Sequence, residues 1–559
     1  MHDPWSVCSR VEILGGSHHP DTEPKRRTTA ASMATTALYA EFDIDKGSTL
    51  RASYPAAIDA LEATVHRPPE FFADMMLPEG VHNREEDYTV FFIHEPESVQ
   101  YCLSVVKTQH DANVRRGARV KAVAISSSYQ FCYAFKPLVV MAVDKLFALR
   151  LDAPEAATTE ILQGLFDAIN RVDVSGVTCL QRSPVEVRLL KRSMSAKPLS
   201  GDIRTSDESL VFKTQALWDG ASVPLQIKLC STHDQHEEGL LLDLIAKFGA
   251  ETMTLYNAVL TGARIIMLGY TLPAGEVCNY VLSMSALLCP PLVGVLYRQF
   301  PYANLTDLAF LEVPGYIAGV TNPMFKGKKE WWDVLCDLSS GEILTNLPIE
   351  KDDADASDHD FILEVMDGIA AGFSEEWVRC MFEDYTRLNI TDIVTGEAHF
   401  MDRDAQGRRT AINNRRITKW ARTENYERFQ AARAALAPTT PAFDVKARGV
   451  DLRRHLQVLL HERVLDDALV ELMYADFVSF LHTEAELKEL LSHLPRARGG
   501  LHVIAQGLFH ASFSVQYNTI VLLKRCEAFP ATATAVTSLN PFVAMTYARL
   551  HRCLVQPTV

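Results

Sequence analysis

The sequence predicts an α/β protein with a helical C-terminal part, and three stretches carry that prediction. In the first, Leu255 and Val259 lie one helical turn apart, Gly262 can supply a left-handed stop, and Ile265 to Leu268 is an unbroken apolar run. Such a run suits a strand buried on both faces, as in a parallel sheet covered by helices. The second begins at Pro273-Ala274-Gly275-Glu276, where proline and an acid open a helix that Val277 to Leu288 continues and Pro290-Pro291 ends. Helix and strand thus alternate, the layering of an α/β fold with a mostly parallel sheet. The third lies beyond Phe361: Phe361-Ile362-Met366, Trp377-Met381-Phe382 and the block Leu452 to Leu491 keep helical spacing until Gly499-Gly500 breaks it.

Composition narrows the function. The 559 residues are 48% apolar, enough for several cores, and carry a net charge of -15, which argues against nonspecific nucleic-acid binding and against a membrane surface as the main partner. Eleven cysteines form no CxxC pair. Cys102, Cys132, Cys278 and Cys289 sit in apolar runs and read as reduced core residues of a cytosolic protein.

Taken in order, residues 1–37 mix Gly, His, Pro and Thr with Lys25-Arg26-Arg27 and lack the apolar core of a signal peptide. They are expected to be disordered, with Met33 an alternative start. Tyr39 to Ile44 alternates as a strand, Lys46-Gly47-Ser48 turns, and Leu50 to Tyr54 returns. Residues 56–66 are helix-like. The polar loop His82 to Asp87 leads into a strand from Tyr88 to Ile93, Arg116-Gly117 turns into a strand ending near Ser126, and Lys136-Pro137 opens an apolar helix. Strands with a covering helix make residues 38–192 an α/β layer of their own. Residues 193–215 read as a linker and 216–349 as the central α/β lobe, opening with a strand from Pro224 to Leu229 and a helix from Gly239 to Phe248 with Leu240, Leu244 and Phe248 on one face. Glu350 to Asp360 is acidic and irregular, and residues 361–559 form a helical lobe with a basic insertion near 403–422. The uncharged stretch Val277 to Tyr297 approaches the ~20 residues of a membrane span, but its polar residues and paired prolines make it a buried globular element.

No catalytic motif emerges. Asp353, Asp355, Ser357 and Glu364 fall at calcium-loop spacing, yet Asp358 occupies the position that needs glycine, so a solvated acidic linker is the better reading. His461-Glu462 meets Leu465 where a zinc protease needs its second histidine, and no GxSxG elbow, GxxxxGK[ST] loop or GxGxxG turn occurs. No metal, cofactor or small-molecule active site is expected. Of Trp331-Trp332, one is expected to pack inward and the other to cover a groove. The basic cluster Arg403, Arg408, Arg409, Arg415, Arg416, Lys419 and Arg422, beside Trp420, leaves two readings open. It is an exposed insertion, or a contact to anionic lipid through Arg408, Arg409, Arg415, Arg416 and Lys419, each worth about 1 kcal/mol at the surface.

The runs LTGARIIMLG (260–269), FPYANL (300–305), PGYIAGVTNPMF (314–325) and WWDVLCDLSSG (331–341), in this order, resemble the central lobe of a DENN domain. Within that family they are most similar to the fungal polarity-axis branch, the Afi/MesA-like proteins that dock Arf-type GTPases. LPEGVHNREEDYTVFF (77–92) and RGARVKAVAISS (116–127) resemble the branch's longin-like upstream lobe, and the C-terminal helices are compatible with its helical downstream lobe. The resemblance implies a small GTPase of the Rab or Arf type as partner, in vesicle trafficking or cell polarity; the cysteines make a cytoplasmic protein the expectation, recruited peripherally to membranes if the basic cluster is a lipid contact. The resemblance further implies guanine-nucleotide exchange, in which the GTPase is held with its switch regions pulled from nucleotide and Mg²⁺ and no covalent site is needed. The family's GTPase lies against the first two lobes, where His82, Arg84 and Asp87, and Arg264, Asp307 and Asn322, are the candidate contacts. One alternative is a docking protein for an active Arf-type GTPase without exchange activity. Another is a metabolic α/β enzyme, which would need a deep pocket with convergent titratable groups at the strand ends.

Overall fold

Two five-stranded sheets organise the chain. The computed structural model describes residues 32–43, 45–58, 60, 67–95, 98–110, 118–150, 153–172, 211–228, 233–347, 354–394, 413, 416–436, 452–461, 465–494 and 499–555. In the first sheet β1 (Thr36–Asp43), β2 (Gly47–Tyr54), β3 (Glu86–His94), β4 (Val99–His110) and β5 (Ala118–Ser127) run antiparallel in the order β2-β1-β5-β4-β3. Because side chains alternate across a sheet, each face takes its own cover. Thr89 and Ser104 hydroxyls donate to the Met75 and Met76 carbonyls of α1 (Pro69–Met76), while Lys121, on the opposite face, donates to the Leu146 carbonyl of α2 (Lys136–Ala148). Beside α2 packs α3 (Glu155–Asn170). Its Asn170 accepts from the amides of Met33 and Ala34, both buried, so residues before the expected start at 38 already pack into this layer. The rest of the N-terminal segment expected to be disordered, and most of the helix-like 56–66, lie outside the described residues.

The hairpin of β6 (Val211–Trp218) and β7 (Ala221–Lys228) turns through Asp219 and Gly220, both at positive φ, as a two-residue hairpin requires. The sequence assigns its second strand to the central lobe. In the structure Trp218, Val223, Leu225 and Ile227 enter the core of the first sheet instead.

The second sheet orders β12 (Glu342–Thr345), β11 (Val334–Asp337), β8 (Ile265–Leu268), β10 (Ile317–Val320) and β9 (Gln299–Phe300), all parallel except β12. Ile265, Met267, Ile317, Val334 and Cys336 face a core built with α4 (Leu241–Phe248), α5 (Thr252–Leu260) and α6 (Ala274–Ala286). Gly262 ends α5 at φ 72, as the sequence predicts. The opposite face is not covered by long helices. Ile266, Leu268, Ala318, Val320 and Leu335 meet Phe310, Tyr316, Phe325 and Trp332, carried by loops, short turns and α7 (Met324–Gly327). Trp332 is the inward member of its pair, its Nε1 donating to the Phe325 carbonyl at 3.1 Å, while Trp331 is half-buried.

Helices α8 (Ala354–Ala370), α9 (Glu375–Val394) and α10 (Glu424–Leu436), with residues 416–420, return to this second core through Ile362, Val365, Phe382 and Trp420. Two sequence expectations change here. The acidic stretch is helical from Ala354, a backbone that cannot wrap a calcium loop, and Asp358 is buried because Arg416 pairs with it at 2.8 Å while Asn257 and Tyr385 also donate to it. Arg416 therefore points inward and cannot meet a headgroup, and Trp420 is fully buried. Of the other candidate lipid residues, Lys419 is exposed, and Arg408, Arg409 and Arg415 lie outside the described residues.

The C-terminal helices α11 (Leu452–His461), α12 (Asp467–Phe480), α13 (Glu484–Ser492), α14 (His502–Ala505), α15 (Phe513–Ala528), α16 (Pro530–Thr537) and α17 (Pro541–Val555) build a third core. It touches the first sheet's core where Phe542 meets Phe131 edge-on, ring centroids 5.0 Å apart.

Candidate functional site

The two sheets meet along a seam, built from the loop before β3 and the loops at the carboxyl ends of β8, β9 and β10. Gly80 at φ 80 starts a single turn, Val81–Asn83, and Thr108 fixes it from β4 by donating to the Val81 carbonyl at 3.1 Å. His82 and Asn83 are left exposed at its tip. Arg84 folds back: its Nη2 donates to the Thr271 carbonyl at 2.8 Å, and its Nε lies 3.7 Å from Asp87.

Asp87 is buried, and its oxygens accept from the Ala274 and Gly275 amides at 2.9 and 3.2 Å and from the Tyr88 amide at 2.8 Å. These are the first turn of α6, whose own N-cap is Pro273 and supplies no side-chain acceptor. A carboxylate from the first lobe thus caps a helix of the second, where the helix dipole favours negative charge. Gly275 is required there, since a Cβ would stand 2.2 Å from the Tyr88 ring. Lys136 sits over that ring, Nζ 3.7 Å from its centroid, and burial lowers the lysine's pKa. Further along, Cys278 Sγ lies 3.4 Å from the Val90 amide, and the Glu79 amide donates to the Tyr302 hydroxyl at 3.0 Å. Asn304 reaches the Asp74 carbonyl, and Arg67 lies 3.7 Å from Asp307. The seam is therefore a built joint.

Beyond it the parallel strands present their carboxyl-end loops, where α/β sheets place binding surfaces. Tyr270, after β8, is 50% exposed, and Met324, after β10, is 59% exposed. The Gly269 amide donates to the Val320 carbonyl, so the two loops leave adjacent strands at one level. Asn322 starts α7 by accepting from the Met324 amide at 2.9 Å, and Thr271 shares a 2.7 Å hydrogen bond with Ser339. Burial would push Asp337 up, but Lys326 at 2.7 Å and the Ser339 and Ser340 amides hold its carboxyl below the usual range. The face offers apolar and polar contact groups, and the buried Asp337 carboxylate is already paired.

The six sequence-chosen contacts do not share one face. His82 and Arg84 lie on the loop at the seam, Asn322 lies in the loop after β10, and Asp307 lies 3.7 Å from Arg67 of the first lobe. Asp87 is turned into the joint and is not available to a partner. Arg264 sits at the opposite, amino end of β8, where Nη2 and Nε clamp Asp333 at 2.8 and 3.1 Å. Sequence reasoning missed Tyr270 and Met324, because nothing in a loop's composition says which side chain is left outside. Among the described residues no group of three His, Cys, Asp or Glu is gathered as a metal site, and no helix is long and apolar enough to cross a membrane.

Both lobes match known families. Residues 37–126 match the model of the docking domain of Afi1 for Arf3 in vesicle trafficking, and residues 239–347 match the model named stabilization of polarity axis. An AFI1-like protein of Schizosaccharomyces pombe is 25% identical over 88% of this chain and 93% of its own length. ARF3-interacting protein 1 of Saccharomyces cerevisiae is 22% identical over 46% of the chain and 34% of its own. DENN domain-containing protein 11 of Danio rerio is 33% identical over 18% of the chain and 22% of its own.

Proposed function

We propose that this chain is a docking protein for an Arf-type GTPase, used in vesicle trafficking and polarity, and that the GTPase rests across the seam on His82, Asn83, Tyr270 and Met324. The observation that carries the reading is that the segment similar to an Arf-docking domain and the segment similar to a polarity-axis domain are locked together by Asp87 and Arg84. A two-lobed rigid face suits recognition of one conformation of a partner, and exposed Tyr and Met beside a polar loop suit the centre of such an interface. In this reading the sheets are the longin-like and central lobes of a DENN arrangement.

Nucleotide preference tests it. A docking protein binds the GTP-loaded Arf best and leaves release of a fluorescent GDP analogue unchanged, because its binding energy favours a state that already exists. Tightest binding to the nucleotide-free GTPase with faster release would replace the proposal with an exchange factor. Preference for Rab proteins would remove Arf as the partner.

A further inference from the structure

The outer strands of the two large sheets differ in how they are closed off. β3 lies under α6, whose Cys278 sulfur meets the Val90 amide and carbonyl. β2 bulges at Arg51, which pairs with Glu41 and Asp43, and β9 is two residues long, with Phe300 packed on the His94 ring at 4.8 Å between centroids. Cover, bulges and charge are the usual guards of a sheet edge. β12 has no strand beyond it, pairs with β11 without a bulge, and holds no lysine, arginine or proline. The Asn346 amide donates to the Asp333 carbonyl at 2.8 Å, and paired positions alternate from there. Leu344 and Glu342 therefore bond to Leu335 and Asp337, while the N–H and C=O of Ile343 and Thr345 point away from β11.

These outward groups are complementary to themselves. An antiparallel second copy, related by a two-fold axis through Leu344, sets Ile343 opposite Thr345 of the second copy and Thr345 opposite its Ile343, and each pair exchanges two hydrogen bonds. The half-buried Leu344 meets Leu344 of the second copy at the close, non-hydrogen-bonded position. Charge fits the same register. Glu342 is exposed and falls opposite Asn346 of the second copy, on the same face of the sheet. Asn346 Nδ2 donates to the Lys329 and Trp332 carbonyls at 2.9 and 3.0 Å, so the exposed Lys329 borders it. The Glu342 carboxylate of each copy thus arrives beside the lysine of the other, and the strand sets no like charges against each other. We infer that β12 pairs edge to edge with β12 of a second copy, joining two of the five-stranded sheets in a two-fold dimer steered by Glu342 and Lys329. So short a seam is smaller than a standard interface, and the dimer is concentration-dependent.

Sedimentation velocity of the full chain over a rising concentration series is the test, with the mass expected to climb from 62.4 kDa towards twice that value. Thr345→Pro removes one outward N–H and keeps every bond to β11, and it should weaken the dimer at least tenfold, while Thr345→Ala, which keeps that N–H, leaves it unchanged. Lys329→Glu and Glu342→Lys should each weaken it about fivefold, and the two together in one chain should restore it. A chain that stays monomeric throughout, or a dimer indifferent to Thr345→Pro and to both charge reversals, would overturn the inference. A double reversal no tighter than either single one would overturn the register. Loss of GTP-loaded Arf from Thr345→Pro in a chain that never dimerises would assign the edge to the GTPase instead. The substituted side chains are all exposed, thermal melts check that each variant is folded, and the charge reversals carry the test if proline lowers the melt.

Discussion

Replacing Asp87 by Ala attacks the joint between the sheets at one atom group. The carboxylate is the acceptor for two amides of α6 that have no other, so its removal leaves two buried donors and a helix N-terminus without its negative partner. An unsatisfied buried amide costs roughly 1–3 kcal/mol and loss of a cap typically about 1. Partial access of water to the loosened seam reduces the sum, and about 2–4 kcal/mol is expected. The loss falls on opening of the seam more than on either core, so hydrogen exchange is the assay: amides of α6 and of the 77–87 loop should exchange on the order of 30- to 1,000-fold faster, with a lowered melting temperature. Asp87→Asn keeps an acceptor and should lose about half as much. If Asp87→Ala melts like the wild type and α6 exchanges at the wild-type rate, Asp87 is not what joins the lobes.

Met324→Asp and Tyr270→Ser should each weaken binding of a GTP-loaded Arf by about tenfold or more, the effect of losing an interface anchor, without shifting the melt; surface plasmon resonance and calorimetry check the two halves. Arg416→Met leaves the Asp358 charge buried and uncompensated, a loss of about 3–5 kcal/mol in denaturant titrations, of which Asp358→Asn in the same chain should recover part. Burial pushes His236 down to about 3 and His94 and His502 to about 4, against roughly 6.5 in an unfolded chain. Native imidazoles then stay neutral while unfolded ones take up protons, so their contribution is complete above pH 6.5 and falls as pH drops towards 4. The slope is ~1.4 kcal/mol per pH unit for each histidine, and His236→Phe should flatten it by one proton in midpoints measured at successive pH values. Gly275→Ala should destabilise the seam as Asp87→Ala does, since its methyl meets Tyr88.

Much of the fold is written in short, high-contrast runs. The apolar block before Gly269 became β8, the glycine before it took the positive φ expected, and the Lys46-Gly47 turn joined β1 to β2. β4 escaped because it is buried on both faces for most of its length and its alternation is lost in an apolar run ending in polar residues. α3 escaped because its Ala- and Thr-rich first turns give little contrast between faces. Charged residues misled in a consistent way. Asp87 and Arg416 each lie in a polar stretch that reads as solvated surface, yet each is buried by a partner far away in sequence, and only the fold supplies that partner. One local signal did exist for Asp87: Pro273 cannot cap α6, so the helix had to borrow an acceptor from elsewhere.

The covering of β3 by α6 bears on how the chain may be divided. Without residues beyond Lys228, the rim strand of the first sheet would lose the helix that shields Tyr88 and Val90, and unpaired peptide groups would meet water beside a bare greasy flank. A fragment carrying the Arf-docking similarity alone should therefore self-associate through that rim, and any affinity measured on it would report a surface the intact protein never shows.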